Sequence, residues 1–160
     1  MEHCDHTTLS IGNCLFTNNT ATTEDGGAVV ATGEYTPVYV MNCDFFNNRA
    51  PSTAVVNDGR GGKGGRGGAL FVELDFGSKS WISNCTFRGN SCGRLGGGLA
   101  TDMHNYSEAS LVVGNCVFES NASAGDAGGI YSVDGISSDL TIERCVLRGN
   151  SAVDGAAIDG

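Results

Sequence analysis

One six-residue pattern, a cysteine followed two residues later by Phe or Leu and five residues later by Asn, occurs five times in this 160-residue chain. The copies are Cys14/Phe16/Asn19, Cys43/Phe45/Asn48, Cys85/Phe87/Asn90, Cys116/Phe118/Asn121 and Cys145/Leu147/Asn150. Their cysteines stand 29, 42, 31 and 29 residues apart, a period of about thirty that falls in the range of repeat architectures. Five and three residues before each cysteine come mostly apolar positions: Leu9 and Ile11, Val38 and Val40, Ser80 and Ile82, Leu111 and Val113, Leu140 and Ile142. After each Asn, a run of small residues leads into an aliphatic one, as in Gly26-Gly27-Ala28-Val29, Gly67-Gly68-Ala69-Leu70 and Ala127-Gly128-Gly129-Ile130. A unit this short cannot bury its own apolar face, so the copies must stack on one another.

The pattern converts into geometry. Alternation before the cysteine implies a half-buried strand, and the Cys-x-Phe pair implies a second. Between them the inward parity slips by one residue, at Asn13, Asn42, Asn84, Asn115 and Arg144. Four of the five are Asn, which tolerates the left-handed backbone of a sharp corner. The small run bends the chain again and the aliphatic residue opens a third strand. No 3.6-residue period lies between these strands, which excludes alternating strands and helices. Stacked about 4.8 Å apart, the copies give three parallel sheets. The expected fold is therefore all-β: a right-handed, single-stranded parallel β-helix of about five coils, each of three short strands. Its core would be vertical ladders of aliphatic, Cys, Phe and small residues, with a hydrogen-bonded Asn ladder alongside.

The remaining composition fits that reading. Glycine is abundant (25 residues) and recurs in register at corners, as disorder would not require. Of seven cysteines, five fall on one ladder, where parallel Cβ vectors hold neighbouring sulfurs badly for a disulfide. They are expected as reduced thiols acting as small hydrophobes, with Cys92 a further small core residue. A net charge of −9 excludes a general nucleic-acid binder. Residues 1–8 carry neither the basic start nor the apolar stretch of a secretory signal, and no stretch reaches the length of a membrane-spanning helix. His3, Cys4 and His6 lie too near a fraying terminus to be assigned as ligands, so no metal or other cofactor is expected. The expected organisation is a terminal segment over 1–8 and repeats over 9–160, with an insertion at about 51–66. Neither end shows a polar capping unit. The expectation is a segment of a longer solenoid whose open edges favour end-to-end self-association.

The F-x-x-N and GGA(I/L/V) signatures, present as FTNN, FFNN, FRGN, FESN and as GGAV, GGAL, GGGL, resemble the repeats of the polymorphic outer-membrane proteins of chlamydial type. These are autotransporter adhesins with β-helical passenger regions. Leu147 in place of Phe and the blurred later GGA runs depart from that pattern. The resemblance implies an extracellular or cell-surface location, an adhesive role, and a cell-surface or host-cell protein or glycan as partner. With no secretion signal or membrane barrel in the sequence, it implies a passenger segment that does not itself insert into a membrane.

Candidate sites lie outside the repeated positions. Between Pro51 and Gly68 the second copy carries about a dozen extra residues, in which Arg60, Lys63 and Arg66 stand among glycines. Insertions in a solenoid project from one face and often bind. This cationic loop is the candidate contact with acidic or sulfated glycans, phosphates or an acidic partner, the alternative being a solvated spacer. Asp75, Asp102, His104, Glu108 and Asp134 follow the third strands and offer the one place for a carboxylate groove of the kind used by pectate-lyase-like polysaccharide lyases or hydrolases. They do not recur at one offset, so no catalytic residue is assigned. Asp25, Asp126 and Asp154 do share an offset, the last two on adjacent copies, as polar turn residues or an incomplete hard-cation site. Glycosylation signatures begin at Asn18, Asn84, Asn105 and Asn121; those at Asn84 and Asn121 coincide with the repeat and are expected to be poorly accessible. Two functions remain: a non-enzymatic surface or adhesive module, favoured because nearly every repeated residue has a structural use, and a segment of a carbohydrate-active enzyme.

Overall fold

The computed structural model describes residues 7–54, 64–103, 108–134 and 137–160. Its first coil comprises β1 (Leu9–Gly12), β2 (Leu15–Thr17) and β3 (Val29–Glu34). The second comprises β4 (Val38–Met41), β5 (Asp44–Phe46), β6 (Arg49–Ala50) and β7 (Leu70–Asp75). The third has β8 (Lys79–Ser83), β9 (Thr86–Arg88), β10 (Ser91–Cys92) and β11 (Leu99–Met103). The fourth has β12 (Ser110–Gly114), β13 (Val117–Glu119), β14 (Ala122–Ser123) and β15 (Ile130–Asp134). The fifth has β16 (Asp139–Glu143), β17 (Val146–Arg148) and β18 (Ile158–Asp159).

Equivalent strands pair in parallel from coil to coil. The first sheet is β1-β4-β8-β12-β16, the second β2-β5-β9-β13-β17 and the third β3-β7-β11-β15-β18. The register follows the sequence repeat: Phe16 pairs with Phe45, Phe45 with Phe87, Phe87 with Phe118 and Phe118 with Leu147. A fourth ribbon, β6-β10-β14, adds a two-residue strand that the three-strand expectation lacks. The chain leaving each Asn is already extended, and single bridges from Thr20 to Arg49 and from Ala122 to Ser151 carry the ribbon into the outer coils.

The corners explain why one period makes one closed coil. Asn13, Asn42, Asn84, Asn115 and Arg144 hold φ between 52° and 56°, so the expected left-handed corner is present even where Arg replaces Asn. A second left-handed corner falls at Asn18, Asn47, Gly89, Ser120 and Gly149, directly before the ladder Asn. A third falls at Gly26, Gly67, Gly96, Ala127 and Gly155. The glycine that follows the third corner is required for a different reason. At Gly97 an added Cβ would stand 2.5 Å from the Gly128 carbonyl oxygen and 2.6 Å from that of Ala122 in the next coil, a separation at which the coils could not stack.

Inside, the ladders form as the repeat implies. Phe45, Phe87 and Phe118 are fully buried, and with Phe16 they stack at centroid spacings of 4.8, 4.7 and 4.6 Å with rings within 7° of parallel. Such pairs contribute about 0.5–1.5 kcal/mol each beyond their buried area. In the aliphatic column Ser80 replaces Leu or Val and is buried. Its hydroxyl accepts the Val38 N–H at 2.9 Å, so the polar atom is satisfied and the β4-β8 pairing begins one residue later, at Tyr39.

The six described cysteines are free, with Cys43, Cys85, Cys92 and Cys116 buried and Cys14 exposed. On the repeated ladder they do more than fill space. Each thiol points at the carbonyl two residues earlier, across the first corner: Cys14 to Gly12, Cys43 to Met41, Cys85 to Ser83 and Cys116 to Gly114 at 3.2 Å, Cys145 to Glu143 at 3.3 Å. Burial pushes the Cys43 thiol up, and hydrogen bonding to Cys116 followed by burial pushes Cys85 up. These are poor nucleophiles, in keeping with a structural ladder.

The Asn ladder is the most completely satisfied feature. Each interior Asn, buried at positions 48, 90 and 121, uses every polar atom of its amide. The backbone N–H groups of Asn19, Asn48, Asn90 and Asn121 donate to the Oδ1 of the next Asn at 2.9–3.0 Å, and their Nδ2 groups donate to the same oxygens at 2.9–3.1 Å. The second Nδ2 proton reaches back to the preceding coil: Asn48 to Phe16 O, Asn90 to Phe45 O, Asn121 to Phe87 O and Asn150 to Phe118 O, all at 3.0 Å. Removing one such amide leaves partners stranded in two neighbouring coils, and each buried orphan costs about 1–3 kcal/mol. Asn90→Ala is therefore expected to lower the unfolding free energy by about 3 kcal/mol or more in urea titration. The same change at exposed Asn19 should cost about 1 kcal/mol, and equal losses at the two sites would contradict the ladder.

Candidate functional site

The insertion re-enters the solenoid through a buried ion cluster. Asp25, at the third corner of the first coil, accepts the Gly64 and Arg66 N–H groups on Oδ1, both at 2.9 Å. Its Oδ2 takes the Arg66 guanidinium through Nε at 3.1 Å and Nη2 at 2.8 Å. From the other side, Asp102 on β11 receives Nη1 at 2.9 Å. The guanidinium also lies 4.2 Å from the centre of the Phe71 ring. Burial alone would disfavour its charge, but the hydrogen bonds and charge of Asp25, followed by those of Asp102, outweigh this and hold Arg66 more firmly protonated than usual. Arg66 is 7% exposed, a departure from the solvent-facing loop cation that glycine-rich sequence suggests. Its column explains the difference: Arg66 bridges to Leu95, Leu95 to Asp126 and Asp126 to Asp154, so Arg66 occupies the repeated position just before a corner glycine. Arg60 and Lys63 lie outside the described residues.

The carboxylates do not form one column. Asp102 sits opposite Glu73 and Val133, Asp134 opposite Met103, and Asp75 opposite Glu34. Asp75 and Asp102 are buried and Glu108 is exposed; His104 lies outside the described residues. Burial, then Asp126, Asp159 and Asp102, push the Tyr131 phenol up and keep it protonated. Asp126 and Asp154 do stack on adjacent coils, whereas Asp25 is committed to Arg66. Among the described residues, no group of three or more His, Cys, Asp or Glu side chains is placed to hold a metal ion.

A family model described as the right-handed beta helix region matches residues 63–160, more than half of the chain. The chain belongs to the right-handed β-helix family. Residues 13–32 also match the Chlamydia polymorphic membrane protein repeat, which places the Cys-x-Phe-x-x-Asn and GGA signatures of the first coil in that repeat class. No curated protein and no solved structure matches the chain.

On this β-helix, the side chains that the repeat does not explain lie outside. On the second sheet, Glu119 pairs with Arg148 at 2.8 Å and Arg88 at 2.5 Å, and Arg148 followed by Arg88 holds it below the usual carboxylate range. On the first sheet, Tyr39 and Trp81 stack at 5.5 Å with Trp81 and Met41 each 40% exposed. At the second corner, Asn18, Thr20, Asn47 and Arg49 line an open hollow of about 460 Å³. The sequence signal for this hollow lies in FTNN and FFNN, where the last Asn belongs to the ladder and the third letters, Asn18 and Asn47, point out of it. Of the glycosylation signatures, Asn121 is buried in the ladder, as expected, whereas Asn84 is exposed at its corner.

Truncating Arg66 would leave two buried carboxylates without their shared cation. Breaking a buried pair costs about 3–5 kcal/mol, whereas an exposed one is worth about 0–1 kcal/mol. Arg66→Ala is expected to destabilise the chain by at least about 3 kcal/mol in urea titration, and Arg144→Ala, which removes the exposed pair with Glu143, by under about 1 kcal/mol. A neutral Arg66→Ala would contradict the clamp.

Proposed function

We propose that this chain is a non-enzymatic, surface-exposed β-helical module that contacts a protein or glycan partner through side chains outside its repeated ladders. The observation that carries this reading is the assignment of the recurring Cys, Phe, Asn and Gly residues: each is used in stacking or in satisfying backbone groups. The recurring Asp126 and Asp154 are two carboxylates only, and among the described residues no group of three or more metal-ligating side chains forms around them. The polymorphic membrane protein repeat supports a cell-surface setting. The rod sets the spacing of what projects from it, and Arg60 and Lys63 are the proposed contact cations of the insertion, whose return is clamped by Arg66.

A glycan array and a polysaccharide-cleavage screen run on one preparation test the proposal. Binding without release of sugar ends is expected, and it should weaken in an Arg60→Ala/Lys63→Ala variant if the insertion makes the contact. Release of unsaturated or reducing ends that survives in that variant would overturn the non-enzymatic reading in favour of a carbohydrate-active one.

A further inference from the structure

In a stacked repeat, the positions where one coil differs from the rest separate function from architecture, and such differences gather between the first and second coils. Along the second-corner column the residues run Asn18, Asn47, Gly89, Ser120, Gly149, so only the first two coils project carboxamides. Along the ribbon column they run Thr20, Arg49, Ser91, Ala122, Ser151, so only the second coil projects a cation. Beside them, the outer column of the second sheet runs Thr17, Phe46, Arg88, Glu119, Arg148, and only the second coil carries an aromatic.

Asn18, Thr20, Asn47 and Arg49 are all exposed and line the hollow of about 460 Å³, a volume within the usual range of about 300–1,000 Å³ for small-ligand sites. Gly89 leaves room for the Asn47 carboxamide on the side of the third coil: a Cβ there would lie 2.5 Å from the Asn47 Oδ1. Arg49 differs from other arginines among the described residues. Arg66, Arg88, Arg144 and Arg148 are each paired with a carboxylate, whereas the Arg49 side chain makes no hydrogen bond or ion pair among the described residues. An unpaired guanidinium is a planar fork of donors suited to a carboxylate. Two carboxamides and a hydroxyl around it offer both donors and acceptors, the complement of neighbouring sugar hydroxyls.

We propose that this hollow binds a carboxylated sugar, a hexuronate unit within a glycan. Arg49 receives the carboxylate, and Asn18, Asn47 and Thr20 hydrogen-bond the ring hydroxyls. The inference rests on the reading of the chain as a contact module, and it names the ligand class and the place.

The test titrates the unglycosylated chain with a hyaluronan hexasaccharide, which alternates uronate and neutral sugar, with neutral cellohexaose, and with a carrageenan oligosaccharide that carries sulfate but no carboxylate. The side-chain amide signals of Asn18 and Asn47 are followed by NMR. Hyaluronan is expected to shift both, and Arg49→Gln to weaken its binding about tenfold while the spectrum of the fold is unchanged. Arg49→Lys should retain part of the affinity. Asn47→Gly should weaken binding without abolishing it. Hyaluronan binding that is unchanged in Arg49→Gln, or that shifts other residues only, would overturn the hollow while leaving a glycan-contacting module intact. Equal binding of carrageenan would overturn the carboxylate assignment. Failure of all three to bind would overturn the hexuronate site, and the array then decides separately whether the module contacts glycans at all.

Discussion

The whole rod depends on the amide of one asparagine per coil. A coil of about thirty residues turns its chain through three left-handed corners, and backbone hydrogen bonds to the next coil continue through them, as from Asn42 N–H to Ser83 O and from Asn47 N–H to Arg88 O. At the ladder Asn itself the backbone N–H finds a side-chain oxygen in place of a carbonyl, and the Asn side chain of the next coil supplies it. It accepts two protons from the coil before it, donates one to the Oδ1 of the coil after it, and returns one to the carbonyl of the preceding Phe. A buried amide can be tolerated only when all of these partners are met, and meeting them fixes both the register and the spacing of adjacent coils. The Phe stack alongside has nearly the same spacing. The aromatic and polar ladders thus impose one geometry on the core.

Most of this architecture was legible from the sequence because the repeat itself encodes the contact map. Residues that share an offset share a column, so the pairing of Phe45 with Phe87 across 42 residues follows from alignment of the copies alone. The insertion does not disturb it, since extra residues leave and rejoin the coil at the same corner. Three things were not legible. The second corner was hidden because Asn, Gly and Ser alternate at it with no single residue type. The ribbon β6-β10-β14 was hidden because two-residue strands leave no periodicity. The thiols looked like small hydrophobes, whereas their geometry sets them against the carbonyls that the first corner exposes.

The candidate sites were less legible, for a physical reason. A glycine-rich, cationic run reads as a flexible loop, and the burial of Arg66 arises from a long-range partner, Asp102 on the following coil, together with Asp25 on the preceding one. Nothing local to Arg66 announces either. Likewise, the hollow beside Arg49 draws on residues 18, 20, 47 and 49, which become neighbours only when two coils stack. The outer surface is where this fold is free to vary. A ladder position tolerates little, because a change there strands buried partners in two adjacent coils; an outward position, even one paired across coils as Glu119 is with Arg88 and Arg148, costs little to change and can carry recognition without loss of the rod.

Native-state hydrogen exchange at the backbone N–H groups of Asn48, Asn90 and Asn121 tests the central claim most directly, because these protons are bonded to side-chain oxygens of the next coil and not to a sheet. If the Asn ladder holds the coils together, the three protons exchange only through global unfolding, with the same opening free energy as the neighbouring amides of the second sheet. Exchange through local opening, at rates insensitive to low denaturant and far faster than those neighbours, would contradict it and leave the solenoid to be held by its apolar ladders alone.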